Sequence, residues 1–477
     1  MKLSTLIVYV GLGVAFPLSA SEKKDDKRPN IIFIMADDHA THALSCYGSK
    51  IINTPNIDRL AKEGMRFTNC FAANAICAPS RATLITGKHC AANGFKLNGD
   101  TFDNTQVTFP ELLQKAGYET VLFGKWHLVS EPKGFDFYSV LPGQGGFFNF
   151  KLKEKGKKWK NGKKGGVLQK GYFTEVITDK AIDWLKNRKS HQPFCLMLHH
   201  KAPHTPHHYP EKYKNQYTED LPLPETFNDS FEGKNKRLLN GVCGFSKLEH
   251  IIPAHILEAA PKGLTPEEHK YWAYQAFFKG YLRLVAALDD NIGRLLDYID
   301  ESGLSKNTVI VYTADNGFFL GDHGLFNKMW MYEPSMRLPL LVRYPKEIKP
   351  GKVNHQLVSI LDFAPTFLDY AHGSIPEELH GVSIRPLLKG ANPKDWRTSV
   401  YYHYYGQYGV PAHRGVRTKN NKLIHFYKAT ENPEWELYNL RNDHHEMKNI
   451  YNHPEYAQEM KKLKKELKQL RTRFEVH

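Results

Sequence analysis

The chain reads as an α/β protein: a large, mostly parallel sheet flanked by helices, then a small C-terminal antiparallel sheet with one helix. Three observations carry that reading. Short apolar runs alternate with helical spacing through most of the chain, and polar clusters follow directly on those runs. Near residue 385 the pattern changes to short strands separated by turns.

Taken in order, Asn30–Met35 (NIIFIM) is a short apolar run, consistent with a buried strand. Thr54-Pro55 opens a helix that runs to Gly64, with Thr as N-cap and Pro at the first helical position. Phe109–Ala116 reads as a helix closed by Gly117, and Tyr118–Phe123 as the strand after it. The amphipathic helix Phe173–Arg188 leads to the strand Phe194–Leu198. His269–Glu301 keeps helical spacing for about nine turns. Thr308–Thr313 (TVIVYT) is another buried strand, followed by Pro339–Arg343 and the helix Asp362–Tyr370. Beyond residue 385, Ser399–Tyr405, Arg414–Arg417, Lys422–Tyr427 and Glu434–Leu440 read as short strands, and the helix Glu455–Phe474 closes the chain. This divides the sequence into a large domain over 28–385 and a subdomain over 386–477.

The first 20 residues have another character. Met1-Lys2, the apolar run Leu6–Phe16 and the exit Pro17-Leu18-Ser19-Ala20 precede the charged stretch Glu22–Arg28, which is the pattern of a secretory signal peptide over 1–20. The apolar run is about half a transmembrane helix, no Cys lies near the cleavage site, and no other spanning segment is present. The expectation is an exported, soluble protein, periplasmic or secreted.

With 477 residues, 41% hydrophobic and 24% charged, the chain is neither mostly disordered nor a polytopic membrane protein. Lys+Arg number 65 against 50 Asp+Glu, a net charge of +15. A basic surface attracts polyanions, although solvated lysines account for the excess equally well. The six cysteines form no C-x-x-C pair, which argues against a zinc ribbon and a disulfide framework. Lys151–Gly166 (KLKEKGKKWKNGKKGG) reads as a solvated excursion or β-hairpin, with polyanion binding as its second reading. No helix-turn-helix, RRM or zinc-finger pattern points to nucleic acid.

The polar clusters converge by a rule of open α/β sheets, in which ligands bind beyond the carboxyl ends of the strands. Asp37-Asp38 follow the first strand, Lys125 and His127 the second, His199, His200 and His204 the third, and Asp315-Asn316 the fourth. Asp37, Asp38, Asp315 and Asn316 are hard oxygen donors, suited to Ca²⁺ before Mg²⁺ and not to zinc. Lys125, Lys328 and Arg81 can neutralise a tetrahedral oxyanion, and His127 and His204 can exchange protons near neutral pH. Cys77 lies where Pro79-Ser80 can start a helix. It is either a buried small residue or a low-pKa thiolate, but a thiolate is a poor attacker on an anionic ester and its product is hard to reverse.

Cys77-x-Pro79-Ser80-Arg81 followed by Leu84-x-Thr86-Gly87 resembles the signature of type I sulfatases, in the alkaline-phosphatase-like superfamily. Further blocks extend the resemblance over roughly residues 28–450: Pro29-Asn30-Ile31-Ile32 with Asp37-Asp38, Thr54-Pro55-Asn56-Ile57-Asp58-Arg59-Leu60, Gly124-Lys125-Trp126-His127, Asp315-Asn316-Gly317, and Gly321-Asp322-His323-Gly324 leading to Lys328. The resemblance implies that Cys77 is oxidised by a maturase to Cα-formylglycine and hydrated to a gem-diol. One hydroxyl then attacks sulfur and the other collapses to expel sulfate, which an ordinary Ser ester could not do. It implies a metal on Asp37, Asp38, Asp315 and Asn316 together with the modified Cys77. It assigns Arg81 and His127 to the gem-diol, Lys125 and Lys328 to sulfate, and His204 to the leaving oxygen. Pro203-His204-x-Pro206 selects His204 over His199 and His200.

The stretches Arg414–Thr418, Lys422–Tyr427 and Trp435–Tyr438 resemble bacterial glycan sulfatases, including a group acting on 6-O-sulfated N-acetylglucosamine. His413 and Arg414 are candidates to reach the sugar, and Arg337 to hold a local carboxylate. The substrate implied is a sulfated saccharide. Sulfated N-acetylgalactosamine or galactose, a phosphodiester or phosphonate on the same fold, and non-catalytic polyanion binding are the alternatives.

Overall fold

The computed structural model describes residues 28–240, 243, 244, 256, 258–428 and 434–474; the expected signal peptide over 1–20 lies outside them. The strands in chain order are β1 (Asn30–Ala36), β2 (Met65–Phe71), β3 (Glu119–Lys125), β4 (Phe137–Leu141), β5 (Lys151–Glu154), β6 (Val167–Leu168), β7 (Phe194–His199), β8 (Thr308–Ala314), β9 (Phe319–Leu320), β10 (Phe326–Asn327), β11 (Arg337–Arg343), β12 (Lys352–Asn354), β13 (Val358–Ser359), β14 (Ser399–Tyr404), β15 (His413–Thr418), β16 (Asn421–His425) and β17 (Trp435–Asn439).

The large sheet runs β12-β2-β11-β8-β1-β7-β3-β4-β5-β6, with β13 beside β2. Its centre, β8-β1-β7-β3-β4, is parallel, as the alternation of runs predicts. The sheet as a whole is mixed, because β11 pairs antiparallel with both β2 and β8 and β5 runs against β4. β2 (MRFTNCF) escaped the sequence reading because its polar residues interrupt the apolar pattern.

Period-two alternation divides β1 between the two layers of the core. Ile31, Phe33 and Met35 join the cluster that includes residues of the helices Cys77–Thr86 and Phe363–Tyr370. Ile32 and Ile34 join the opposite cluster, with residues of Pro55–Lys62, Phe173–Asn187 and Pro266–Glu301. The last helix starts three residues before its apolar spacing does, because Thr265 and Glu268 form a capping box.

β14-β15-β16-β17 form the small antiparallel sheet, packed by the helix Ala457–Arg473. It docks on the segments that approach the site. His403 N donates to Ala73 O at 3.0 Å. The Tyr402 hydroxyl accepts from Ala75 N at 3.3 Å and donates to Met329 O at 2.5 Å. β5 and β6 pair antiparallel as the arms of a hairpin, so the Lys151–Gly166 run supplies its first arm and, beyond Glu154, its extended tip.

Candidate active site

β1, β3, β7 and β8 end on one edge of the sheet, and each delivers a polar cluster there. Asp37 and Asp38 follow β1, and Asp38 takes a positive φ of 68°. That turn is held on several sides. Asp38 N donates to Asp315 Oδ1 at 3.2 Å, and the Tyr281 hydroxyl donates to Asp38 O at 2.7 Å. Asn316 Nδ2 donates to Asp38 Oδ1 at 2.6 Å. Gly124, one residue before Lys125, has φ 104° and no room for a side chain, since a Cβ there would lie 1.9 Å from His199 O.

Cys77 begins the helix Cys77–Thr86, and Ile76 before it is extended. Its Sγ lies 3.2 Å from Lys328 Nζ and 3.9 Å from Asp38 Oδ1. One turn along, Arg81 reaches the same acids. Its Nε and Nη2 lie 2.9 and 2.8 Å from Asp315 Oδ2, its Nη2 lies 3.7 Å from Asp37, and its Nη1 donates to Lys125 O at 2.7 Å. Lys125 pairs with Asp37, and Lys328 with Asp38. Asp37, Asp315 and Lys125 are wholly buried. Buried charges survive only when paired, and here three acids meet three cations.

The electrostatics leave room for one more positive charge. Burial would raise Asp37, but Lys125, His204 and Arg81 hold it well below the usual carboxylate range. Asp315 goes the other way, raised to about 7 by burial and by the charge on Asp37. Asp37 Oδ1 and Asn316 Oδ1 are buried without hydrogen-bond partners. Ligand atoms of Asp37, Asp38, Cys77 and His204 lie within 4.8 Å of one another. Buried acceptor oxygens without donors, beside a carboxyl pushed towards protonation, fit a hard divalent cation. Burial pushes the Cys77 thiol up to about 12, against the pull of Lys125 and Lys328, which removes the thiolate reading at neutral pH.

A pocket of about 380 Å³ opens above this cluster. Asp38, Cys77, His204 and Lys328 line it together with Asn98, Gln144 and Tyr408. Among the three candidate histidines at and beyond the end of β7, His204 lines the pocket. Its Nε2 lies 3.7 Å from Asp38 Oδ2, and its Nδ1 is bound to Thr205 O at 2.6 Å. His199 lies deeper, 3.2 Å from Lys125 O, and His200 is buried with neither ring nitrogen partnered. His127, at φ 64°, is half-buried, and its Nδ1 is buried without a partner. Burial holds His127 and His204 well below the ordinary imidazole range.

His413 and Arg414 stand elsewhere. His413 is fully buried at the start of β15, where its Nε2 accepts from Met331 N at 3.1 Å and its ring stacks on Trp330 and Tyr402. Arg414 lies over the Tyr427 ring, and neither residue lines the pocket. Their places in the β14–β15 ladder set both apart from the pocket that a sugar would enter, against the expectation that they reach it. Arg337 donates to Thr68 O at 2.8 Å and adds to the positive field on Glu333.

Sequence reasoning did not find Asn98, Gln144 or Tyr408, because single polar residues in loops carry no spacing signal. Lys201 was findable. It follows directly on His199-His200, is buried, and is brought down to about 8 by burial and Lys125.

The sulfatase family model matches residues 29–374, and the model of the N-sulphoglucosamine sulphohydrolase C-terminal region matches 321–473. The chain belongs to the sulfatase family. It is a sulfuric-ester hydrolase of the alkaline-phosphatase-like fold. An N-acetylglucosamine-6-O-sulfatase of Bacteroides thetaiotaomicron is 41% identical over 99% of this chain and 91% of its own length. The solved structure of BT4656 in complex with its substrate D-glucosamine-2-N,6-O-disulfate is 40% identical. It has a TM-score of 0.86 and covers 94% of this chain and 98% of that one. A phosphonate monoester hydrolase of Agrobacterium radiobacter shares the fold at TM-score 0.74 and 21% identity, covering 94% of this chain and 96% of that one. Among the described residues no helix is long and apolar enough to cross a membrane.

Proposed function

We propose that the protein is an exported sulfatase that removes the 6-O-sulfate of N-acetylglucosamine in sulfated glycans. The observation that carries this reading is the floor of the pocket, where Cys77 stands between the acid cluster and Lys328 with His204 on the pocket wall. The choice of sugar rests on the 41% identical relative being an N-acetylglucosamine-6-O-sulfatase and on the sulfated glucosamine bound to the structural neighbour.

In this reading Asp37, Asp38, Asp315 and Asn316 hold a divalent cation, calcium before magnesium, which when bound draws charge from sulfate oxygens. Cys77, converted by a maturase to hydrated formylglycine, supplies a hydroxyl nucleophile. The chain's own residues do the rest. Lys125 and Lys328 counter the sulfate charge in a dry site where each is held by a carboxylate. Arg81, clamped by Asp315, fixes the acid cluster beneath residue 77 and with His127 orients that residue's hydroxyls. His204 keeps one proton on Nδ1, bound to Thr205 O, so the proton it gives to the departing sugar oxygen is the one on Nε2. An anionic substrate beside the ring favours its charged form.

Sulfate release by the matured protein tests the proposal. The panel comprises 6-O-sulfo-N-acetylglucosamine, 4-O- and 6-O-sulfo-N-acetylgalactosamine, sulfated galactoses, an aryl sulfate and a phosphodiester. Release from the first at the highest kcat/KM supports it. A higher value on a galacto-configured sugar overturns the choice of sugar, and phosphate-ester turnover exceeding sulfate-ester turnover overturns the reaction.

A further inference from the structure

The lysine-rich tip between β5 and β6 is built into the rim of the pocket. Trp159 anchors it, with Nε1 donating to Val129 O at 3.2 Å and the ring edge-on to Tyr138. Gly162 presses against the backbone of Val129, where a Cβ would lie 1.7 Å from Val129 O. Buried Lys153 spans the inside of the tip, its Nζ donating to Asn161 O at 2.9 Å and Lys164 O at 3.2 Å. These contacts fix the place of Lys163. Its Nζ donates to Gly99 O at 3.3 Å, next to Asn98. Its neighbour Gly162 accepts from Gly143 N at 2.9 Å, next to Gln144. Asn98 and Gln144 both line the catalytic pocket, and Gln144 Oε1 has no hydrogen-bond partner. The tip thus lies against both loops that carry these pocket-lining residues, with the Gly162 backbone on one and the Lys163 side chain beside the other.

Charge is the second observation. Lys157, Lys158, Lys160, Lys163 and Lys164 are exposed, and none forms an ion pair among the described residues. The one acid of the segment, Glu154, is taken by Lys180 at 3.1 Å. An exposed cation with free N–H groups, bound to the residue next to the pocket-lining Asn98, attracts an anion on whatever extends out of the pocket.

The geometry points to an anion subsite, centred on Lys163 and flanked by Lys160 and Lys164, for the sugar residue next to the one that loses its sulfate. It deepens the proposed function and rests on it. The preferred substrate is then an oligosaccharide whose second residue carries a sulfate or a carboxylate, and not an isolated sulfated monosaccharide.

The test compares the sulfated monosaccharide with three trisaccharides that share its sulfated end residue and differ in the second residue: neutral, a uronate, or sulfated. Wild type is expected to favour both anionic trisaccharides over the neutral one by roughly three- to fivefold in kcat/KM, less at 0.5 M salt. Lys163→Ala should erase that preference and leave the monosaccharide unchanged, while Lys163→Arg should keep it. A preference for the sulfated trisaccharide alone would assign the subsite to sulfate. Equal values for all three trisaccharides, or equal losses on monosaccharide and trisaccharides in Lys163→Ala, would overturn the subsite. Calorimetric affinity of the Cys77→Ala protein for the same three trisaccharides reads the subsite without turnover. Preferential binding of the anionic pair by Cys77→Ala, with matured wild type releasing no sulfate from any of these sugars, would uphold the subsite and strike only the proposed function.

Discussion

Lys422 is fully buried at the joint between the two sheets, and its replacement by Met has a worked, pH-dependent cost. Its Nζ lies 2.6 Å from Glu446 and 2.9 Å from Glu333, while Glu333 keeps Arg417 at 3.2 Å. Arg417, Lys422 and Arg337 outweigh burial and hold Glu333 well below the usual range, whereas burial raises Glu446 from 4.5 to about 7. A raised carboxyl favours folding below its unfolded pKa and loses that advantage as pH climbs through the folded one. In the parent protein the loss stops near pH 7, where Glu446 ionises against Lys422. Without the lysine Glu446 stays protonated, and the loss continues at about 1.36 kcal/mol per pH unit. Lys422→Met should therefore cost about 3 kcal/mol at pH 5.5, for the lost buried ion pair with Glu333. At pH 8.5 it should cost about 2 kcal/mol more. Urea unfolding followed by tryptophan fluorescence at both pH values measures this. A destabilisation that does not change with pH would refute the reasoning.

Other perturbations act nearer the site. Chelation should abolish turnover and lower the melting temperature together, since ligand binding and stability are linked; calcium should restore both more fully than magnesium, and indifference to chelation would contradict the four-oxygen site. Gly124→Ala should destabilise by about 2–5 kcal/mol, from the left-handed φ and the clash with His199 O, with a loss of kcat because Lys125 is displaced; a thermal melt and a single rate decide it. His204→Ala should lower kcat about 10²–10⁴-fold on sugar sulfates and much less on an aryl sulfate whose leaving phenolate needs no proton; equal losses on both would remove His204 from that role. His413→Phe should cost about 1–3 kcal/mol for the unpaired Met331 N–H and leave KM unchanged.

Much of the site was legible because strand ends announce themselves. An apolar run followed at once by Asp-Asp, Lys-x-His or Asp-Asn places those residues on one edge of a parallel sheet, and β1, β3, β7 and β8 do lie side by side. The Cys77 helix was visible from Pro79 and Ser80. What failed depended on partners that sequence alone does not show. β2 is held in the sheet by β11 and not by its own pattern. His413 was a candidate for the sugar because its sequence does not show that β14 pairs with it and that Trp330 and Tyr402 stack on its ring. Asn98 is placed in the pocket wall by Ala78 N and Gln407, and the loop of Gln144 is held by the tip of the hairpin, contacts between segments far apart in sequence.

The most direct test of the account is sulfate release from 6-O-sulfo-N-acetylglucosamine by wild type and by Cys77→Ala, with the mass of the peptide carrying residue 77 read in the same preparations. The account predicts formylglycine and turnover in wild type, and no turnover in a folded Cys77→Ala protein. Turnover by Cys77→Ala, or by wild type carrying only unmodified cysteine, would contradict it.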